Sequence, residues 1–146
     1  MCYKTYYILK HVQPCYQPLI FKYNSNMSSP SKNPQINIEI ENAIDAKNAG
    51  FQGRSRVSAR RAAGMAILDF YDAIGKDIQT TNLFLAIEEF VSDESIPQNL
   101  TQSAACFLEK VNSDFKINSN QDLIEQAINL CIFLDQTLSH WSKDGK

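Results

Sequence analysis

The chain has 146 residues, 44% of them hydrophobic, with 14 basic and 16 acidic side chains and a formal net charge of −2. That is enough chain for one domain with a real core, and the acidic excess argues against a broad nucleic-acid surface. No apolar run approaches the roughly 18 residues that a membrane span needs.

The first 26 residues differ from the rest. They hold Lys4, Lys10 and Lys22, no acid, and five of the six tyrosines, which leaves 11 basic against 16 acidic residues for the remainder. Lys10, His11, Gln13 and Pro14 interrupt the apolar stretches, so the segment does not read as a signal peptide. Either it is a translated region upstream of a start at Met27, or it is a short β-prone tail that packs on the domain. The polar run MSSPSKNPQ after Met27 reads as a disordered N-terminus and favours the first. Residues 1–35 are therefore expected to be a leader or tail, residues 36–142 a helical domain, and the location cytoplasmic.

From residue 36 the apolar spacing is helical. The first predicted helix covers 36–49, with Ile36, Ile40, Ala43, Ile44 and Lys47 on one side and a break at Gly50 and Gly53. The second covers 54–74, with Gly75 as its left-handed stop. Its apolar residues, from Val57 through Ile74, run nearly all the way round, which predicts a central helix buried by several neighbours. Gly64, among Ala62, Ala63 and Ala66, predicts close approach of another helix.

The third helix starts near Thr81, a suitable N-cap, with Leu83, Phe84, Ile87, Phe90 and Val91 at helical spacing. Glu88, Glu89, Asp93 and Glu94 read as a solvated face and helix end. Pro97 suits the first turn of a fourth helix with a seam of Leu100, Ala104, Phe107, Leu108 and Val111. A polar linker over 112–120 leads to Ser119 and Asp122, spaced as a capping box. The fifth helix carries Ile124, Ala127, Cys131, Leu134, Leu138 and Trp141. The fold class is thus all-α, a compact bundle of about five helices behind a non-helical or disordered N-terminal segment.

The candidate site residues lie mainly at the front of the second helix: Arg54, Arg56, Arg60 and Arg61. Cations are unfavourable at a helix N-terminus, so something negative must compensate. At 100° per residue, Arg54 and Arg61 share one face, and Arg56 and Arg60 nearly the opposite one. One reading pairs them with Glu39, Glu41 and Asp45 of the first helix, or with Asp122 and Glu125. The other leaves one pair open to bind phosphate of a nucleotide or RNA. Ion pairing is the commoner use of arginine, and at least one pair is expected to meet first-helix carboxylates. Cys106 and Cys131 fall in apolar helical patterns as buried hydrophobes, no C-x-x-C occurs, and no metal or cofactor site is expected. His140 reads as an edge residue.

The stretch ARRAAGMAILDFYDAIG and the later FLEKVNSDFKINSNQDLIEQAINLCIFLDQTL resemble HEPN domains, in which an alanine-rich helix, a motif with arginine and a nearby acid, and a long final helix occur. Together they span much of residues 53–138. Ribonuclease members carry R-x4-6-H; here residues 110–115 put Lys110 where arginine belongs and Phe115 where histidine belongs, with Asn112 and Asp114 between. Phenylalanine cannot exchange a proton, so general acid–base cleavage lacks its key group. The resemblance implies a catalytically degenerate, non-catalytic module that dimerises near this motif or binds a partner protein, with contact to nucleotide or RNA through the arginines. The alternative is a ribonuclease or nucleotide-processing enzyme with an atypical site built from Arg60 or Arg61, Lys110 and Asp114.

Overall fold

The computed structural model describes residues 29–110 and 122–144, with side chains as far as Trp141. It is an all-α bundle of five helices: α1 (Pro34–Asn48), α2 (Gln52–Ala73), α3 (Leu83–Ser92), α4 (Gln98–Ala105), which runs on into a 3-10 turn (Cys106–Leu108), and α5 (Leu123–Asp144). No strand occurs among the described residues.

Local chemistry sets the ends. Asn33 caps α1, its side-chain oxygen accepting from the Gln35 amide at 2.9 Å, and Pro34 follows at the first helical position. The helix thus begins two residues before the sequence expectation. Residues that read as disordered tail are held as well: Ser31 and Asn37 exchange two hydrogen bonds, and Pro30 is buried. Both α1 and α2 end in a glycine with positive φ, Gly50 at 85° and Gly75 at 72°. In each the next amide reaches back one turn (Phe51 N–H to Ala46 O, 2.8 Å; Lys76 N–H to Tyr71 O, 2.9 Å), which completes a Schellman motif.

Three cap expectations shift by a residue or more. Asn82, not Thr81, caps α3, because its carboxamide oxygen reaches both the Phe84 and Leu85 amides. Pro97 stands at the N-cap of α4 rather than in its first turn, its carbonyl accepting from Leu100 and Thr101. Asp122 caps α5 directly through Ile124 N–H at 3.0 Å, while Ser119 lies outside the described residues.

Helix α2 is the centre, packed against α1, α3 and α5. Ala59, Ala62, Ala63, Ala66, Ile67, Phe70 and Tyr71 enter the common core with Ile36, Ile40, Ile87, Phe90, Leu100, Phe107, Ile128 and Leu130. The pairings give the directions. Asn33 meets Asp69 and Glu39 meets Arg61, so α1 and α2 are antiparallel. Leu83 lies at Gly64, and Phe90 meets Phe70 and Tyr71 edge-on, so α2 and α3 run in the same sense. The connection 74–82 must therefore travel back along α2 before α3 begins. Helix α4 then runs the opposite way, ending beside Arg60. Helix α5 starts at the end of α1, where Lys47 meets Asp122, and finishes with Trp141 edge-on to Phe70.

Four apolar expectations do not hold. Val57 is 52% exposed, Phe84 42% and Trp141 42%, and Ala73 is exposed as well, because these side chains lie off the buried faces of α2, α3 and α5. Among the described residues no helix is long and apolar enough to cross a membrane.

Candidate functional site

The arginines divide as the helical geometry predicts. Arg61 lies on the α1 side, its Nη1 3.6 Å from Glu39 Oε1. Arg60 faces the other way. Its Nε donates to Phe107 O at 2.9 Å and its Nη2 to Glu109 O at 2.8 Å. These carbonyls close the 3-10 turn, so the guanidinium fork holds the negative end of a short helix. The compensation for Arg60 is thus a second helix's carbonyl end rather than an acid of α1. Partial burial, and next the nearby Arg56, lower its basicity, yet an arginine stays charged throughout the ordinary pH range.

Arg56 is half-buried beside Arg60. Arg54 is exposed and lies over the Phe51 ring, 5.8 Å from its centroid. Of the arginine pair on the α1 face, Arg61 meets a carboxylate and Arg54 meets an aromatic ring. Asp122 is taken by Lys47 at 2.6 Å, and Asp69 accepts from Asn33 at 2.7 Å.

The same carbonyl clamp ends the fourth helix early. The 3-10 turn stops at Leu108 and Glu109 is extended, whereas the sequence seam predicted helix as far as Val111. Lys110 is exposed and next to the Glu109 carbonyl that Arg60 holds, so the structure brings Arg60 and Lys110 to one end of the bundle and puts Arg61 on another side. Asn112, Asp114 and Phe115, like Val111, lie outside the described residues. So do Cys2, Cys15, His11 and Met27.

Sequence reasoning missed a second constellation. Asp93, read as part of a solvated acidic run, is half-buried and joins two turns. Its Oδ2 accepts from Tyr71 O–H at 2.9 Å and from Lys76 Nζ; its Oδ1 accepts from the Ser95 amide at 2.9 Å and hydroxyl at 2.6 Å. Lys76 also donates to Ser95 Oγ at 3.3 Å and sits 5.4 Å from the Tyr71 ring centroid. Burial opposes ionisation of Asp93, but the hydrogen bonds from Lys76, Ser95 and Tyr71 outweigh it and hold the carboxyl well below the usual carboxylate range. Burial, and then the hydrogen bond to Asp93, push the Tyr71 phenol well above its ordinary value. The available signal was the spacing Asp93-x-Ser95 after a helix end, which makes an Asx turn.

Cys106 and Cys131 are free and buried, as expected. Burial pushes both thiols up to about 12, Glu109 adding to it at Cys106. Cys106 donates to Ser103 O. Among the described residues no group of three or more His, Cys, Asp or Glu side chains is arranged to hold a metal ion. His140 is exposed.

The front of α2 also has an open outer face. Phe51 is 56% exposed and Val57 52%, with the exposed Arg54 between them and Arg61 one turn beyond. No family model matches the chain, and neither a curated protein nor a solved structure does.

Proposed function

We propose that this chain is a non-catalytic, HEPN-like helical interaction module that works in the cytoplasm and holds a partner protein on the outer face of α2. The observation that carries this reading is the contrast along α2. The most enclosed helix of the bundle leaves the outer face of its first two turns exposed, with Arg54 over the ring of Phe51 and Val57 one turn on. Aromatic and arginine side chains are the residues most enriched where proteins dock. The inward turn of Arg60 also supports it, since a guanidinium that grips two carbonyls does not reach a phosphate. Two buried free thiols suit a reducing compartment.

A second reading, a ribonuclease or nucleotide-processing enzyme with an atypical site, draws on the closeness of Arg60 to Lys110 at the end of the 3-10 turn. A dimer formed near residues 110–115 is compatible with either. Purified full chain incubated with bulk structured RNA separates them. The module reading expects no cleavage beyond buffer. Cleavage that K110A abolishes, in a variant with unchanged melting temperature, overturns it. Sedimentation of the same sample tells whether the chain dimerises.

A further inference from the structure

The open face of α2 has a definite charge pattern. Arg54, Val57 and Arg61 fall within about 60° of one another around the helix axis. A Cβ built on Gly53 would meet nothing within 4 Å, so the surface beside Arg54 is open. From Phe51 to Arg61 the strip extends on the order of 15 Å, the length of about three turns of a docked helix. Along it two apolar side chains, Phe51 and Val57, alternate with two guanidiniums, one of which has, among the described residues, a 3.6 Å contact to Glu39.

Charge decides between occupants. The chain as a whole is acidic, with net charge −2, so the strip is a local reversal of sign. A second copy docked about a two-fold axis would set the strip against itself, guanidinium against guanidinium, which disfavours association. A nucleic acid needs a run of cations along its phosphates. Here Arg54 and Arg61 are separated by Val57 and make no continuous run. A carboxylate-bearing protein helix matches both halves of the pattern.

Resting on the interaction-module reading, we infer that the strip Phe51, Arg54, Val57 and Arg61 receives an acidic amphipathic helix of a partner protein. Its apolar face covers Phe51 and Val57, and its carboxylates pair with the two guanidiniums, Arg54 being the better placed because, among the described residues, no carboxylate lies within ion-pair distance of its fork.

The test titrates the full chain with three probes, followed by the amide resonances of α2. Two are 15-residue helix-forming peptides with the same leucine seam, one edged by glutamates and the other by lysines; the third is a 15-nucleotide single-stranded RNA. The glutamate peptide is expected to shift Gly53, Arg54 and Val57 and to bind at least tenfold tighter than the lysine peptide. R54E, which alters an exposed side chain, should cancel or invert that preference while the melting temperature is kept. Equal binding of both peptides at the strip overturns the acidic partner but leaves the module reading standing. Binding of neither peptide, or tighter binding of the RNA, overturns the inference. A chain that dimerises and is made monomeric by V57E gives the face to a second copy, and overturns it too.

Discussion

Gly64 and Leu83 touch where α3 begins beside the middle of α2. A Cβ on Gly64 would lie 2.7 Å from Leu83 Cβ and 2.8 Å from Leu83 O. A backbone carbonyl cannot rotate away as a side-chain end can, so the two helices would have to part. Alanine gains about 1 kcal/mol of helix propensity over glycine, while overpacking costs about 1–3 kcal/mol. Gly64→Ala is expected to lose stability on balance and Gly64→Leu to lose much more. Thermal melts of the two variants check this, and an unchanged midpoint for Gly64→Leu would deny the close approach.

Arg60 and Arg61 are sequence neighbours with different duties. Arg60 makes two charge-assisted bonds to carbonyls, each of a kind that contributes about 1.5–3 kcal/mol. Arg61 makes one long, exposed ion pair, a kind that contributes about 0–1 kcal/mol. Arg60→Ala should therefore destabilise by about 2 kcal/mol or more, and Arg60→Lys should recover little because an ammonium lacks the fork. Arg61→Ala should change stability by less than about 1 kcal/mol. Urea unfolding of the three variants gives the ranking, and equal losses at 60 and 61 would contradict the two geometries.

Asp93 gives an acid-sensitive term. Its folded carboxyl titrates below the ordinary value, near 4 in an unfolded chain. The stability it contributes is thus fully present above about pH 4 and fades as the pH falls toward the folded value. Asp93→Asn should lower the melting temperature at pH 7, and the gap from the parent protein should narrow between pH 4 and pH 2. Tyr71 has the opposite sign. Its folded value is raised, so its contribution is present below about pH 10 and lost as the pH rises above it. Tyr71→Phe should be less stable than the parent at neutral pH, with that gap shrinking in strong alkali.

The thiols of Cys106 and Cys131 should react slowly with a disulfide reagent at pH 8, since both are buried and titrate near 12. A C2S/C15S variant isolates their kinetics. Guanidinium should convert two slow thiols into two fast ones; fast reaction without denaturant would place at least one at the surface.

The fold was readable because its strongest signals are local. Apolar spacing located all five helices, and Gly75 marked the stop of α2, since a left-handed residue is a demand of the backbone itself; of the break read at Gly50 and Gly53, Gly50 holds and Gly53 lies inside α2. The two faces of the arginines also followed from 100° per residue. What each arginine touches did not follow. The partner of Arg60 is a pair of main-chain carbonyls 47 and 49 residues away, and a carbonyl carries no sequence signature. Asp93 was misread for a related reason. Its neighbours Glu88, Glu89 and Glu94 are solvated, and only the return of the chain past Tyr71 and Lys76 sets it apart from them.

That return path has a consequence for how the bundle comes apart. Because α2 and α3 run in the same sense, α3 and α4 form a hairpin attached to α2 at three stations: Leu83 at Gly64, Asp93 at Tyr71 and Lys76, and the Phe107 and Glu109 carbonyls at Arg60. Neither arm can leave without loosening the turn they share. The pair should behave as one cooperative unit in native-state hydrogen exchange, opening together and ahead of the α1–α2 core.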